Sequence, residues 1–349
     1  MDRARIAEFL DRFVGYAAGA TTMALLAVAD RSGLLTWLAE HESGTVEEIA
    51  EGAELESRYV REILSGLAAV GAVFYDPGPR VFTLPPEHAL FLADESSPYF
   101  MGGWSDMLPA LMAQIDGVAD ATMHGGGVPF EEFGAAMIRG VDRANTPSQK
   151  VFLVDRWLPA VPGLVTALDS GIRVADVGCG SGTVPILIAK AFPDSRVIGF
   201  DVSEDALTVA RSRAGGTPNV TFEQVSADAI GVNPPFDLIT AFDAIHDLAD
   251  PLAALTRIRE ALNTDGRFLM MEPNAASFLE DNLNDRGALL YGVSALHCMT
   301  QSLAAGGEGL GAAWGREKAE EYARRAGFSN FEPLADIENK FSAFYLLRP

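Results

Sequence analysis

The chain has 349 residues, room for about two domains of roughly 100–200 residues each, and its 48% apolar content supports a sizeable core. Charged residues at 21%, with 34 Gly and 19 Pro, exclude a disordered, collagenous or linker-like polypeptide. A formal net charge of −22 repels polyanions, so DNA, RNA and acidic membrane surfaces are poor partners.

The two cysteines, Cys179 and Cys298, stand far apart and form no zinc-type spacing with each other or with histidine. That argues against a disulfide framework or a structural metal and fits the reducing cytoplasm. The uncharged run 13–29 carries Gly15, Gly19, Thr21 and Thr22 and is slightly short for a membrane span of about 20 residues. Ahead of it, Asp2, Glu8 and Asp11 interleave with Arg3, Arg5 and Arg12, unlike the basic head of a signal peptide. Neither export nor insertion is expected.

Residues 1–95 read as helices followed by a hairpin. Thr45 and Glu48 have capping-box spacing and place a helix start. Val60, Ile63, Leu64 and Leu67 fall on one face of a second helix that Gly71 ends. Two short strands, 72–75 and 81–84, flank Asp76-Pro77-Gly78-Pro79 and make a wing. Helix, turn, helix, wing is a winged-helix outline, often a DNA reader. Here, however, seven Arg face sixteen Asp or Glu, a net charge of −9. Without a basic face the segment is expected to serve as a dimerisation and lid module.

Residues 96–168 are rich in Met, Trp, Phe and Gly and lack strand-like alternation, so mostly helices are expected around a mobile Gly125-Gly126-Gly127 break. Trp104, Met107, Met112, Met123 and Trp157 are expected in the core, with acceptor-pocket lining as the other reading. From residue 169 the chain turns to apolar runs alternating with helical segments, the pattern of βαβ units. Strands are expected at 172–177, 196–201, 220–225, 237–242, 267–272, 328–334 and 341–347. Between the fourth and fifth, Asp250 caps a helix with Pro251 in its first position.

The first of these strands runs into Asp176-Val177-Gly178-Cys179-Gly180-Ser181-Gly182 and then a helix over 183–192. Glycines let a ligand touch backbone, and the free N–H groups of a helix N-terminus receive an anion. A dinucleotide fingerprint would need glycine at 183, where Thr183 stands, and Asp176 is a poor neighbour for pyrophosphate. An acid beside the turn suits an ammonium group, while the helix start suits a carboxylate. Asp201, ending the second strand, can accept from both ribose hydroxyls. Asp228, after the third, can accept from an exocyclic amine such as that of adenine. Amino acid, ribose and adenine together describe S-adenosylmethionine.

These residues resemble the class I S-adenosylmethionine-dependent methyltransferases, whose first motif, (D/E)-x-G-x-G-x-G, stands here as Asp176 to Gly182. The resemblance covers residues 172–349 and implies a Rossmann-like α/β sheet of order 3-2-1-4-5-7-6, strand 7 antiparallel, preceded by a mainly α winged-helix domain. It assigns Gly178, Gly180 and Gly182 to the methionyl part, Asp201 to the ribose, Asp228 with Ala229 to the adenine, and Val202 to packing on its ring. Asp243, at the mouth of the fourth strand, touches cofactor or acceptor, or caps a turn.

The winged-helix arrangement is similar to that of small-molecule O-methyltransferases, which implies a homodimer and a small-molecule acceptor. In that family a histidine in an L-H-D-W segment is the general base, and Ala244-Ile245-His246-Asp247 matches it, with Leu248 replacing the tryptophan. Glu272 matches the acid that orients the base, whereas 312–314 offers no second flanking acid. A histidine titrating at about 6.5 suits removal of a hydroxyl proton near neutrality. His297-Cys298-Met299 reads as packing, or as acceptor-pocket lining with a soft-metal or thiol role; no metal site is expected. Rival readings are an S-adenosylmethionine-sensing transcriptional regulator, an NAD(P)-dependent oxidoreductase, and N- or C-methylation on the same scaffold.

Overall fold

The computed structural model describes residues 1–337 and 339–349. The chain divides into two compact units, residues 1–110 with 135–148, and residues 111–134 with 149–349.

The first unit begins with α1 (Arg3–Arg31), α2 (Leu34–His41), β1 (Ser43–Gly44), α3 (Val46–Gly52), α4 (Ser57–Ala69), β2 (Phe74–Asp76) and β3 (Val81–Thr83). Thr45 and Glu48 cap α3 reciprocally, as their spacing requires. The apolar stripe Val60, Ile63, Leu64 and Leu67 of α4 is buried against Leu34, Leu38, Ile49 and Phe82, each side chain worth about 1.5–3 kcal/mol over exposure. The wing has three strands, not the expected two. The short β1, extended just before the Thr45 cap, joins β3 with Ser43 opposite Thr83, giving the order β1-β3-β2. Helix α1 is long and apolar enough to cross a membrane by length and composition, the one such helix among the described residues. Its Ile6, Phe9, Leu10, Phe13, Val14 and Tyr16 are exposed.

Five helices follow: α5 (Pro86–Leu92), α6 (Trp104–Met112), α7 (Ile115–His124), α8 (Gly134–Phe152) and α9 (Leu164–Asp169). Arg143 of α8 donates to Asp30 at 2.9 Å and to Glu95 at 2.6 Å, which ties this helix into the first unit. Trp157 is in the core as expected, but Met112 and Met123 are exposed, because both lie on helix faces turned to solvent. The glycine break is anchored at its far end. The N–H of Val128 donates to Thr300 Oγ1 at 2.9 Å, and a Cβ on Gly127 would overlap the Thr300 carbonyl.

The second unit is built on β4 (Arg173–Val177), α10 (Thr183–Ala191), β5 (Arg196–Asp201), α11 (Glu204–Arg213), β6 (Val220–Gln224), β7 (Phe236–Phe242), α12 (Pro251–Ala261) and β8 (Leu262–Pro273). It is completed by α13 (Asp285–Val293), α14 (Met299–Ala304), α15 (Gly315–Arg325), β9 (Asn330–Pro333) and β10 (Ser342–Arg348). The seven strands β4 to β10 form one sheet of order β6-β5-β4-β7-β8-β10-β9, the expected 3-2-1-4-5-7-6. Strand β10 runs antiparallel between β8 and β9. Strand β8 starts earlier than expected, since Leu262 already pairs with Phe236 across a register shift. Strand side chains alternate between two cores. Ile239, Phe268, Met270 and Tyr345 pack on one face, Leu238, Leu269, Met271 and Leu346 on the other, as the two-residue period of a strand dictates.

Candidate functional site

The sheet order reverses between β5 and β7 on either side of β4, and a crevice at the carboxyl ends of strands beside such a switch point is where α/β sheets receive ligands. The turn after β4 fills that position. Gly178, Gly180 and Gly182 all have left-handed backbone, with φ of 70°, 51° and 81°. Their roles differ. A Cβ on Gly182 would stand 2.7 Å from that of Ala210 and 2.9 Å from the Phe222 ring, whereas one on Gly180 would meet nothing within 4 Å. Gly182 is demanded by packing, and Gly180 leaves the turn open to a ligand. The N-cap of α10 is Gly182, which has no side chain to place over the helix start, where backbone amides suit a carboxylate.

Asp176, at the end of β4, is 3% exposed. Burial pushes its carboxyl up to about 7, opposed by a hydrogen bond donated by Thr240 Oγ1 and reinforced by the charge of Asp201. A buried acid so placed regains ionisation when an ammonium group approaches.

Asp201 ends β5 and accepts the N–H of Gly180 through Oδ2 at 2.8 Å and that of Ser203 through Oδ1 at 2.9 Å. Each carboxylate oxygen has a second lone pair left for a hydroxyl. The neighbouring Val202 is 63% exposed, an apolar side chain available to a flat ring. Asp228 and Ala229 sit exposed in a single 3₁₀ turn, Ala227–Ala229, after β6, and Arg257 Nε donates to the Asp228 carbonyl at 3.0 Å. Asp243 follows β7 in left-handed backbone, φ 59°, its N–H donated to the Met271 carbonyl at 2.7 Å. The sheet thus gathers every candidate cofactor residue along one edge.

The candidate base lies on the same edge. His246 belongs to the single turn Ile245–Asp247 after β7 and is 2% exposed. Its Nδ1 meets Glu272 Oε2, from β8, at 2.7 Å. Glu272 is equally buried, and it also accepts the N–H of Ile245 at 3.0 Å and Trp314 Nε1 at 3.1 Å. Three donors fix the carboxylate, which fixes the imidazole through Nδ1 and leaves Nε2 facing the neighbouring turn. Trp314 stands in the stretch that offered no second acid. The second carboxylate near His246 is instead the adjacent Asp247, whose Oδ1 lies 3.2 Å from Nε2. Burial lowers the His246 pKa, but Asp247 and Glu272 outweigh it and hold the ring well above its ordinary value.

Cys298 is buried beside His246, and His297 Nδ1 lies 3.8 Å from its Sγ. The His297 ring meets Phe133 edge-on with centroids 4.7 Å apart, and burial lowers its pKa. Sequence reasoning missed Asp247 and Trp314 as neighbours of the base. Asp247 was legible only as part of the quoted segment, and no signal pointed to Trp314.

A seven-stranded sheet of this order, with a glycine turn after its first strand and acids at successive strand ends, defines a class I methyltransferase fold. Sequence comparison agrees. The methyltransferase domain family matches residues 168–327, and the Rv2258c-like winged HTH domain family matches residues 19–94. The chain thus carries a region similar to the methyltransferase domain family, with the class I methyltransferase fold, behind a region similar to a winged HTH domain.

Over 96 residues it is 36% identical to the ubiquinone biosynthesis O-methyltransferase of Methylococcus capsulatus, covering 26% of this chain and 39% of that protein. The chain spans about a third to a half of the length of the curated relatives it matches. Among solved structures it shares its fold with human N-acetylserotonin methyltransferase in complex with S-adenosylmethionine. That match has a TM-score of 0.72 and 19% identity, over 100% of this chain and 98% of that one. It also shares its fold with the mitomycin 7-O-methyltransferase MmcR, with a TM-score of 0.71 and 17% identity over 100% of each chain.

Proposed function

We propose that this protein transfers a methyl group from S-adenosylmethionine to a hydroxyl of a small-molecule acceptor, with His246 as general base. Asp176, Gly178, Gly180, Gly182, Asp201, Val202, Asp228, Ala229 and Asp243 are assigned to the cofactor. The fit rests on the opening at Gly180, the glycine N-cap of α10 and the acid at Asp176 that an ammonium group would ionise. When bound, the cofactor supplies an electrophilic methyl on a sulfonium. The chain supplies position, because in-line displacement gains most from holding the acceptor atom close and collinear.

The observation that carries the acid–base half is the 2.7 Å contact between His246 Nδ1 and Glu272. It holds the ring by Nδ1, leaves Nε2 to take the hydroxyl proton at alkaline pH, where the raised pKa lets the ring be neutral, and stabilises the imidazolium that forms. Glu272 is a positioning residue. In a labelled methyl-transfer assay across phenols, carboxylic acids and amines, His246→Ala should lower turnover by about 10²–10⁴ with S-adenosylhomocysteine affinity retained. Unchanged turnover would remove His246 from the mechanism.

We further assign residues 1–95 to a winged-helix dimerisation and lid domain, 96–168 to a linker contributing to the acceptor pocket, and 169–349 to the cofactor-binding domain. The exposed apolar face of α1 supports a homodimer, checked by sedimentation. Both cysteines are free thiols, in keeping with a cytoplasmic enzyme.

A further inference from the structure

We propose that His246, Asp247 and Cys298 together bind one soft divalent transition-metal ion, with zinc as the type, and that this ion switches methyl transfer off. The binding half stands on geometry alone; the inhibitory half rests on the reading of His246 as the base.

One ligand atom from each of the three residues lies within 4.8 Å of the other two. Donor atoms around tetrahedral zinc stand about 3.5 Å apart, so side-chain shifts of roughly an ångström close the set. Nitrogen, oxygen and sulfur together select zinc, cobalt or a similar ion over magnesium or calcium. The surroundings are those of a ligand site. Glu272 holds Nδ1 of His246 and leaves Nε2 for the metal, the carboxylate–histidine arrangement that orients metal ligands. Ile245 and Trp314 brace that carboxylate in turn. Asp247 Oδ1 is buried and faces His246 Nε2 at 3.2 Å without a formed hydrogen bond, an arrangement that costs free energy and that a cation between the two would relieve. Three protein ligands leave a fourth position for water. An ion on Nε2 takes the lone pair that a general base must use, so transfer stops while the cofactor turn is untouched.

The test uses the purified full-length protein, stripped with a chelator and titrated with cobalt(II). One equivalent should give a thiolate-to-cobalt charge-transfer absorption and four-coordinate visible bands, both displaced by zinc. Cys298→Ser should abolish the charge-transfer band. Asp247→Asn should keep it with affinity lower by about tenfold or more, and it carries the test should Cys298→Ser fail to fold. A band of undiminished strength in Cys298→Ser, no band in the wild-type protein, or undiminished affinity in Asp247→Asn overturns the site. In turnover, zinc should inhibit the wild-type protein at one equivalent without changing S-adenosylhomocysteine binding. A cobalt band without methyl transfer defeats the functional reading and leaves the metal site standing; methyl transfer without a band does the reverse.

Discussion

Asp201 braces Gly180, its Oδ2 accepting the backbone N–H at 2.8 Å while Oδ1 takes that of Ser203. One carboxylate therefore shapes the glycine turn before any ligand arrives. Asp201→Ala strands two amides, each worth about 1–3 kcal/mol where burial denies it water. The ligand-free melting temperature should fall, and calorimetry should show S-adenosylhomocysteine affinity reduced beyond what that loss explains. An unchanged melting temperature would refute the bracing role.

Gly180 and Gly182 should respond differently to alanine. Gly182→Ala adds a clash with Ala210 and Phe222 to left-handed strain and should destabilise by about 2–4 kcal/mol in urea unfolding. Gly180→Ala carries only the strain, about 1–2 kcal/mol. Its larger effect should appear in cofactor affinity, since the methyl group enters the opening assigned to the ligand.

Asp176 makes the protein pH-sensitive in a definite direction. The folded chain keeps the proton up to about pH 7, whereas an ordinary aspartate gives it up at 3.8. Its contribution to stability is therefore complete below the lower value and is lost as pH rises through the higher one. Thermal unfolding should show this as a loss of stability as pH rises from 3.8 to about 7, levelling off above, that Asp176→Asn removes. Cofactor binding just below neutrality should release a proton, read as a binding enthalpy that depends on the buffer's ionisation enthalpy and loses that dependence in Asp176→Asn.

Trp314 should matter to a reaction it does not touch. Trp314→Phe removes the 3.1 Å hydrogen bond to Glu272, a bond to a charged group worth about 1.5–3 kcal/mol. Turnover should drop by about tenfold with acceptor KM nearly unchanged. Glu272→Gln should cost more, since it also loses the charge that favours the imidazolium. Equal losses in KM would point to a disturbed pocket instead.

Much of this architecture was legible because buried parallel strands announce themselves. Strand β5 occupies the expected 196–201, its apolar residues bounded by a turn on one side and Asp201 on the other. The capping pairs at Thr45 and Asp250 worked because they are local, one side chain bonding an amide three residues on. The third wing strand escaped notice because two residues, Ser43 and Gly44, have no periodicity to read. The exposure of Met123 escaped because composition does not tell which face of a helix meets solvent. Around His246 only the strand-end Glu272 could be read, with Asp247 present in the segment but given no part beside the ring. Trp314, 42 residues beyond Glu272, and Cys298, from a later helical segment, reach the histidine through tertiary packing that leaves no spacing in the chain.

Strand β10 sets Ala343 directly opposite Glu272 in the antiparallel ladder. The histidine's carboxylate is therefore walled in only once a strand from much later in the chain has paired beside it. Proteolytic nicking ahead of that ladder would spare the aspartates and glycines assigned above to the cofactor and remove the strand that stands behind Glu272 and His246.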